Sequence, residues 1–218
     1  MDTFEKYFSC PDINKIIDTI NEMLLPKGMY QACHGRYHAL FVVDMVEHIL
    51  QSLSYELRII ELGKIAALLH DIGNIAGRWN HARKGAALAT VLMEYPVHFL
   101  QEEKGIIIQA IEDHSGGKDI SSAVGAALLI ADKVDISKRR ILPFKSIDDW
   151  HKNLLEIEDV HLHVSNDSII INYITTESFS KDLLMSDYTK GFQLPIKAAE
   201  YLGCTCHFQF NGREEKFN

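Results

Sequence analysis

The sequence predicts a mainly α-helical protein with a small α+β appendage at its C-terminal end. Three observations carry that expectation. Apolar residues recur three and four positions apart up to about Ser137, the spacing of a buried helix stripe. Gly, Pro, Asn and polar clusters break the pattern at intervals of one helix length. Beyond Pro143 the period shortens to the alternation of strands.

The first helix is predicted from Ile13, Ile16, Ile17, Ile20, Met23 and Leu24, and it closes at Pro26-Lys27-Gly28. Helices follow over Tyr37–Ser54, Arg58–Asp71, His81–Tyr95, Glu102–His114 and Ser121–Ser137, with Gly73-Asn74 and Ser115-Gly116-Gly117 among the separators. Val160–Val164 and Ile169–Ile174 are alternating or β-branched runs spaced as a hairpin by Ser165-Asn166-Asp167-Ser168. A helix starting near Phe179 or Ser186 and ending at Leu202 is expected to break near Pro195, and a strand at Thr205–Phe210 ends in Asn211-Gly212. The expected division is a helical domain over 1–143 and a small α+β region over 144–218.

With 218 residues, 47% hydrophobic and 24% charged, the chain can bury one substantial core with a subsidiary unit. A net charge of -8, with no basic run longer than Lys138-Arg139-Arg140, argues against a general nucleic-acid surface. Any phosphate is therefore expected to be held locally, by a metal or by a few basic side chains. Four cysteines (Cys10, Cys33, Cys204, Cys206) are too few for a disulfide framework, and no apolar signal region follows Met1-Asp2, so the expected compartment is the cytoplasm. The longest apolar stretches, such as Ile65–Leu69, are of core-helix length, and no membrane partner is expected.

Histidine placement is the informative feature. His70-Asp71 directly follows the apolar run Ile65–Leu69 and so ends a buried helix, where an imidazole beside a carboxylate calls for a metal or a tight hydrogen-bond partner. Antiparallel helices joined by short loops bring the end of one beside the start of the next. His38 opens one predicted helix, His70-Asp71 closes the next, His81 opens the third and His114 closes the fourth, which converges them on one layer. Asp132 lies late in its helix, about 16 Å from the start by helical rise, and joins that layer only if its helix crosses the bundle obliquely. Each residue taken singly also suits a hydrogen-bonded core histidine or a capping aspartate; together they form a donor set. Mixed imidazole and carboxylate donors suit divalent transition ions such as Fe, Mn, Zn, Co or Ni, and the inventory suffices for two ions bridged by Asp71.

Arg36-Tyr37-His38, Leu68-Leu69-His70-Asp71-Ile72-Gly73, Asn80-His81-Ala82-Arg83-Lys84-Gly85, Glu112-Asp113-His114 and Ala131-Asp132-Lys133-Val134-Asp135 together resemble the HD-domain metal-dependent phosphohydrolases. The resemblance spans roughly residues 30–140 and is similar in pattern to the bacterial HD proteins that cleave dinucleoside polyphosphates. It departs from the cyclic-dinucleotide phosphodiesterases, whose His-His-Glu and Gly-Tyr-Pro signatures are absent. It implies an HD-domain helical bundle in which His38, His70, Asp71 and Asp132 bind one metal, while His81 and His114 imply a second. It further implies hydrolysis of a phosphate ester or anhydride, a nucleotide above all, by a metal-bound hydroxide, with Asp71, His70 and Lys133 as the catalytic candidates.

Arg36, Arg83 and Lys118 are the candidate substrate-binding cations, with Lys84, Arg139 and Arg140 as weaker ones, because a positive group neutralises charge on a phosphoryl. Glu112, Asp113 and Asp135 are candidates for orienting imidazoles. His161-x-His163 and Cys204-x-Cys206-His207 admit a structural zinc site, although small core cysteines explain the latter better. The alternative function is a non-catalytic nucleotide-sensing HD module, with residues 144–218 as a partner or homodimer surface.

Overall fold

The computed structural model describes residues 3–24, 32–94, 99–116, 119–141 and 148–215. The core is organised around α7 (Ala123–Val134), in which every residue apart from Ala123 and Lys133 is buried. A helix that is apolar all round belongs inside a protein. Here it packs against α3 (Arg36–Ser52), α4 (Leu57–Leu69), α6 (Gln101–Asp113) and α9 (Lys181–Tyr201). Ser122 starts it by accepting a hydrogen bond from the Gly125 amide at 3.1 Å, satisfying one of the first-turn donors.

Around this axis lie α1 (Thr3–Phe8), α2 (Pro11–Leu24) and α5 (His81–Leu92). Helices α3 and α4 approach closely at Gly63, where a Cβ would stand 2.7 Å from Leu50 Cδ1 and 2.9 Å from Val46 Cγ1. After α4 the chain reverses through a 3-10 turn, Ile72–Ala76, into α5. Gly73 of that turn is pressed so tightly on the His81 carbonyl and the Gly85 amide that a Cβ would overlap both.

The C-terminal region is α8 (Asp149–Leu155), β1 (Ile157–Val164), β2 (Ser168–Thr175), α9, β3 (Thr205–Phe210) and β4 (Arg213–Glu215). β1 and β2 form the expected antiparallel hairpin; β2 and β3 run parallel across the α9 crossover, and β3 pairs antiparallel with β4. Alternate residues Ile169, Ile171 and Tyr173 of β2 are buried, and a continuous apolar cluster runs from Tyr7 to Phe210. The fold is thus mainly α with a small C-terminal α+β region.

Some boundaries differ from the expectation. Helix α9 passes through Pro195 unbroken: the proline is buried, and burial of Leu184, Phe192, Ala198 and Ala199 along the same helix outweighs a local cost of about 3 kcal/mol. Helix α7 ends at Val134, three residues before Ser137, and a short 3-10 turn over Lys138–Arg140 follows. The short elements α1, α8 and β4 carry too few residues to show a period. Helix α5 ends at Leu92, three residues before Tyr95; the expected closure at Pro26–Gly28 and the division near 143 lie outside the described residues. Among the described residues, no helix is long and apolar enough to cross a membrane.

Candidate metal centre

The helix ends deliver a convergent donor set. His38 sits in the first turn of α3, His70 caps the end of α4, and Asp71 begins the reversal that follows. His81 opens α5 and His114 caps α6. Ser121 Oγ donates to Asp113 Oδ2 at 3.0 Å, so α7 starts beside the end of α6. It then crosses the bundle and brings Asp132 Oδ1 to 3.2 Å from His38 Nε2.

Two clusters share Asp71. On one side His38 Nε2 and His70 Nε2 are 3.1 Å apart and lie 3.6 and 3.4 Å from Asp71 Oδ2. On the other, His81 Nε2 and His114 Nε2 are also 3.1 Å apart and lie 3.5 and 3.8 Å from Asp71 Oδ1. Each carboxylate oxygen therefore faces one histidine pair.

The outer ring nitrogens define the chemistry. Nδ1 of His70 lies 2.7 Å from the Ala67 carbonyl, that of His81 3.2 Å from the Arg78 carbonyl, and that of His114 2.6 Å from the Ile111 carbonyl. His38 Nδ1 lies 2.8 Å from Asp135 Oδ2. These partners only accept, so each Nδ1 carries a hydrogen and each neutral ring turns an Nε2 lone pair inward. Two lone pairs facing each other across 3.1 Å repel unless a cation lies between them. Buried His and Asp groups with tied outer nitrogens are thus placed to hold a metal.

Charge tells the same story. Burial opposes a charged His70, but Asp71 and Asp132 outweigh it and raise its pKa. Burial also opposes ionisation of the two carboxylates; His70 and His34 overcome it at Asp71, and Lys133 and His38 at Asp132, so both stay ionised well below the usual range. Burial lowers His81 to about 4 and His114 to about 3. The centre therefore combines two fixed negative charges with neutral imidazoles at His81 and His114, an environment that favours a cation.

Asp71, His81 and Asp132 of the donor set open onto a cleft of about 780 Å³, lined also by His34, Arg78, Lys133 and Arg140 and walled by Trp150 of α8 and Tyr188, Lys190 and Lys197 of α9. Tyr188 OH donates to the Lys133 carbonyl at 2.8 Å, fastening α9 beside the centre. Lys133 Nζ lies 2.6 Å from Asp132 Oδ2. Arg36 turns to Asp18, at 2.7 and 2.9 Å, and Arg83 is an exposed residue of α5; neither lines the cleft. Lys118 lies outside the described residues.

Of the candidate orienting acids, Asp135 contacts an imidazole, while Asp113 accepts from Gln109 and Ser121. His161 and His163 are exposed on β1, with β2 between them and Cys206 on β3, and His161 and His207 pair with Asp159 and Glu214. Among the described residues they form no metal-holding group.

Three residues of the site do not stand at the ends of periodic helical segments. His34 Nδ1 lies 2.7 Å from Asp71 Oδ2, Asn74 Nδ2 lies 2.7 Å from Asp71 Oδ1, and Arg78 lines the cleft. The available hint for His34 was its position four residues before His38, one helical turn, although His34 lies outside α3.

No protein-family model and no curated protein matches this chain. Among solved structures it is similar to a predicted HD superfamily hydrolase from an uncultured Thermotogales bacterium, with 23% identity and a TM-score of 0.43, over 63% of this chain and 75% of that one. The donor geometry, not so distant a likeness, carries the reading of the site.

Proposed function

We propose that this protein is an HD-type metal-dependent phosphohydrolase that holds two divalent transition-metal ions and cleaves a phosphate ester or anhydride, with nucleotides the substrate class to test first. The observation that carries the reading is the placement of Asp71 between two histidine pairs, one oxygen toward each. His38, His70, Asp132 and Asp71 Oδ2 form the first seat; His81, His114 and Asp71 Oδ1 form the second. Nitrogen and carboxylate donors without thiolate suit Fe, Mn, Zn, Co or Ni. Bound there, such ions supply Lewis acidity toward a phosphoryl oxygen and acidify water to a useful pKa near neutrality.

The chain's own residues do the rest. Lys133 holds Asp132 Oδ2, which leaves Oδ1 for the first seat. Arg78, Lys133 and Arg140 bring positive charge to a cleft in an otherwise acidic chain, where it neutralises a phosphoryl group. Residues of α8 and α9 wall the cleft, whose volume lies within the roughly 300–1,000 Å³ of small-molecule sites.

The test is metal content per chain for wild type and for the double variant His81→Ala with His114→Ala, alongside Mn-dependent turnover of nucleotides and simple phosphate esters. Two equivalents falling to one, with turnover lost in His70→Ala and Asp71→Ala, supports the reading. Nucleotide binding without turnover under every metal loading overturns the enzyme and leaves a sensing module.

A further inference from the structure

A carboxylate shared by two ions has to be held in one orientation. The terminal torsion of Asp is broad and two-fold, so an unrestrained Asp71 is free to turn both oxygens toward one ion and leave the other seat short of a donor. Two buried side chains prevent this. His34 Nδ1 lies 2.7 Å from Oδ2, the oxygen facing His38 and His70. Asn74 Nδ2 lies 2.7 Å from Oδ1, the oxygen facing His81 and His114, and 3.0 Å from the Asp71 carbonyl. We propose that His34 and Asn74 are positioning residues that fix the Asp71 carboxylate astride the two seats, with one N–H on each oxygen. The proposal rests on the two-ion reading above.

Both donors are themselves held. The backbone around His34 is pinned on either side: its amide donates to Asn21 Oδ1 at 3.0 Å, the Cys33 amide donates to the Arg140 carbonyl, and Ala32 forms a β-bridge with Ile141. Asn74 lies in the 3-10 turn, where its Nδ2 meets two acceptors of Asp71, the backbone carbonyl and Oδ1, and this sets the amide with its NH2 toward Asp71. His34 falls near enough to His38 and Asp71 to be read as a ligand instead. Against that, Arg140 Nη2 stands 3.3 Å from the same Nδ1, and a cation coordinated there would face a guanidinium; Asp71 Oδ2, the nearer partner at 2.7 Å, only accepts, so the hydrogen sits on Nδ1 and Arg140 is a neighbour rather than a donor to it. As a donor to Asp71, Nδ1 needs no cation beside it. The arrangement is the usual one around metal centres, in which an outer hydrogen bond orients a coordinating group.

The experiment uses Mn(II)-loaded full chain, with metal per chain by elemental analysis and electron paramagnetic resonance to report whether two Mn(II) ions are exchange-coupled through a shared bridge. Thermal unfolding confirms that each variant folds. Wild type is expected to hold two coupled ions. His34→Ala and Asn74→Ala are each expected to lose one equivalent and give the spectrum of isolated Mn(II). His34→Gln, whose amide keeps an N–H, and His34→Ala supplied with free imidazole are expected to regain the coupled spectrum. Two coupled ions in folded His34→Ala and Asn74→Ala overturn the proposal, as does a His34→Gln variant that stays uncoupled, which would make His34 a ligand. Fewer than two ions in the wild type overturns the two-ion reading itself, and the proposal with it.

Discussion

His38 Nδ1 lies 2.8 Å from Asp135 Oδ2, and both side chains are buried. This contact fixes the tautomer of His38, so its Nε2 lone pair faces the centre, and it makes the ring a better donor. Asp135→Ala is expected to weaken metal binding at the His38 side roughly 10–100-fold, read by competition with a chromophoric chelator. Asp135→Asn, which keeps an acceptor oxygen, should lose less. Wild-type affinity in both variants would remove Asp135 from the centre's support.

Gly73 ties the placement of His81 to backbone packing. A Cβ there overlaps the His81 carbonyl and the Gly85 amide, both backbone atoms that move only by shifting the start of α5. Gly73→Ala should cost roughly 3 kcal/mol, lower Tm by about 6–12 °C and release the His81-side ion first. Gly105, an exposed α6 residue with open space where a Cβ would sit, is the contrast: Gly105→Ala should add about 0.5–1 kcal/mol. Differential scanning calorimetry of the two variants, with and without metal, checks both signs.

The centre was legible in the sequence to the extent that its donors stand at helix ends. His70-Asp71 closes an apolar run, and His81 and His114 open and close periodic segments, so short connections alone bring them into one layer. Asp132 required the crossing of α7, which depends on tertiary packing such as Gly125 against Ala110 and is not written in any local period. His34 and Asn74 sit outside the α-helices, where no periodicity gives a side chain a direction, and Asn74 reads as turn punctuation. Pro195 misled for the opposite reason: a local rule about helix breaking was overridden by burial of the helix that contains it. Arg78 and Arg140 lie near the centre only because the chain reverses at Gly77 and at Ser137–Ile141, and neither position follows from charge composition.

Acid should empty the two seats in order. His70 has a raised pKa because Asp71 and Asp132 outweigh its burial, so below that pKa the ring carries a proton that an incoming ion must displace. Affinity at the first seat then falls about tenfold for each further pH unit. His81 and His114 are lowered to about 4 and about 3, so they remain neutral donors down to that range. Metal retention between pH 8 and pH 5 is compared in His81→Ala with His114→Ala, which keeps only the first seat, and in His38→Ala, which impairs it. The first seat should release its ion at the higher pH; release of the second seat first would contradict this order.

Arg78 offers a separate test of the cleft as a phosphoryl site. It lines the cleft on the second-seat side, with Nη1 3.8 Å from Asp71 Oδ1 and 3.4 Å from Asn74 Oδ1. A guanidinium lining the cleft presents a planar fork that matches two oxygens of one phosphoryl group. Arg78→Ala should lower kcat/KM for a phosphorylated substrate by about 10–100-fold, the worth of a hydrogen bond to a charged group at roughly 1.5–3 kcal/mol. Metal content should stay at the wild-type value. Arg78→Lys keeps the charge but not the fork and should recover only part of the loss. An Arg78→Ala variant that keeps wild-type kcat/KM, or one whose loss follows lost metal, would place the phosphoryl group elsewhere in the cleft.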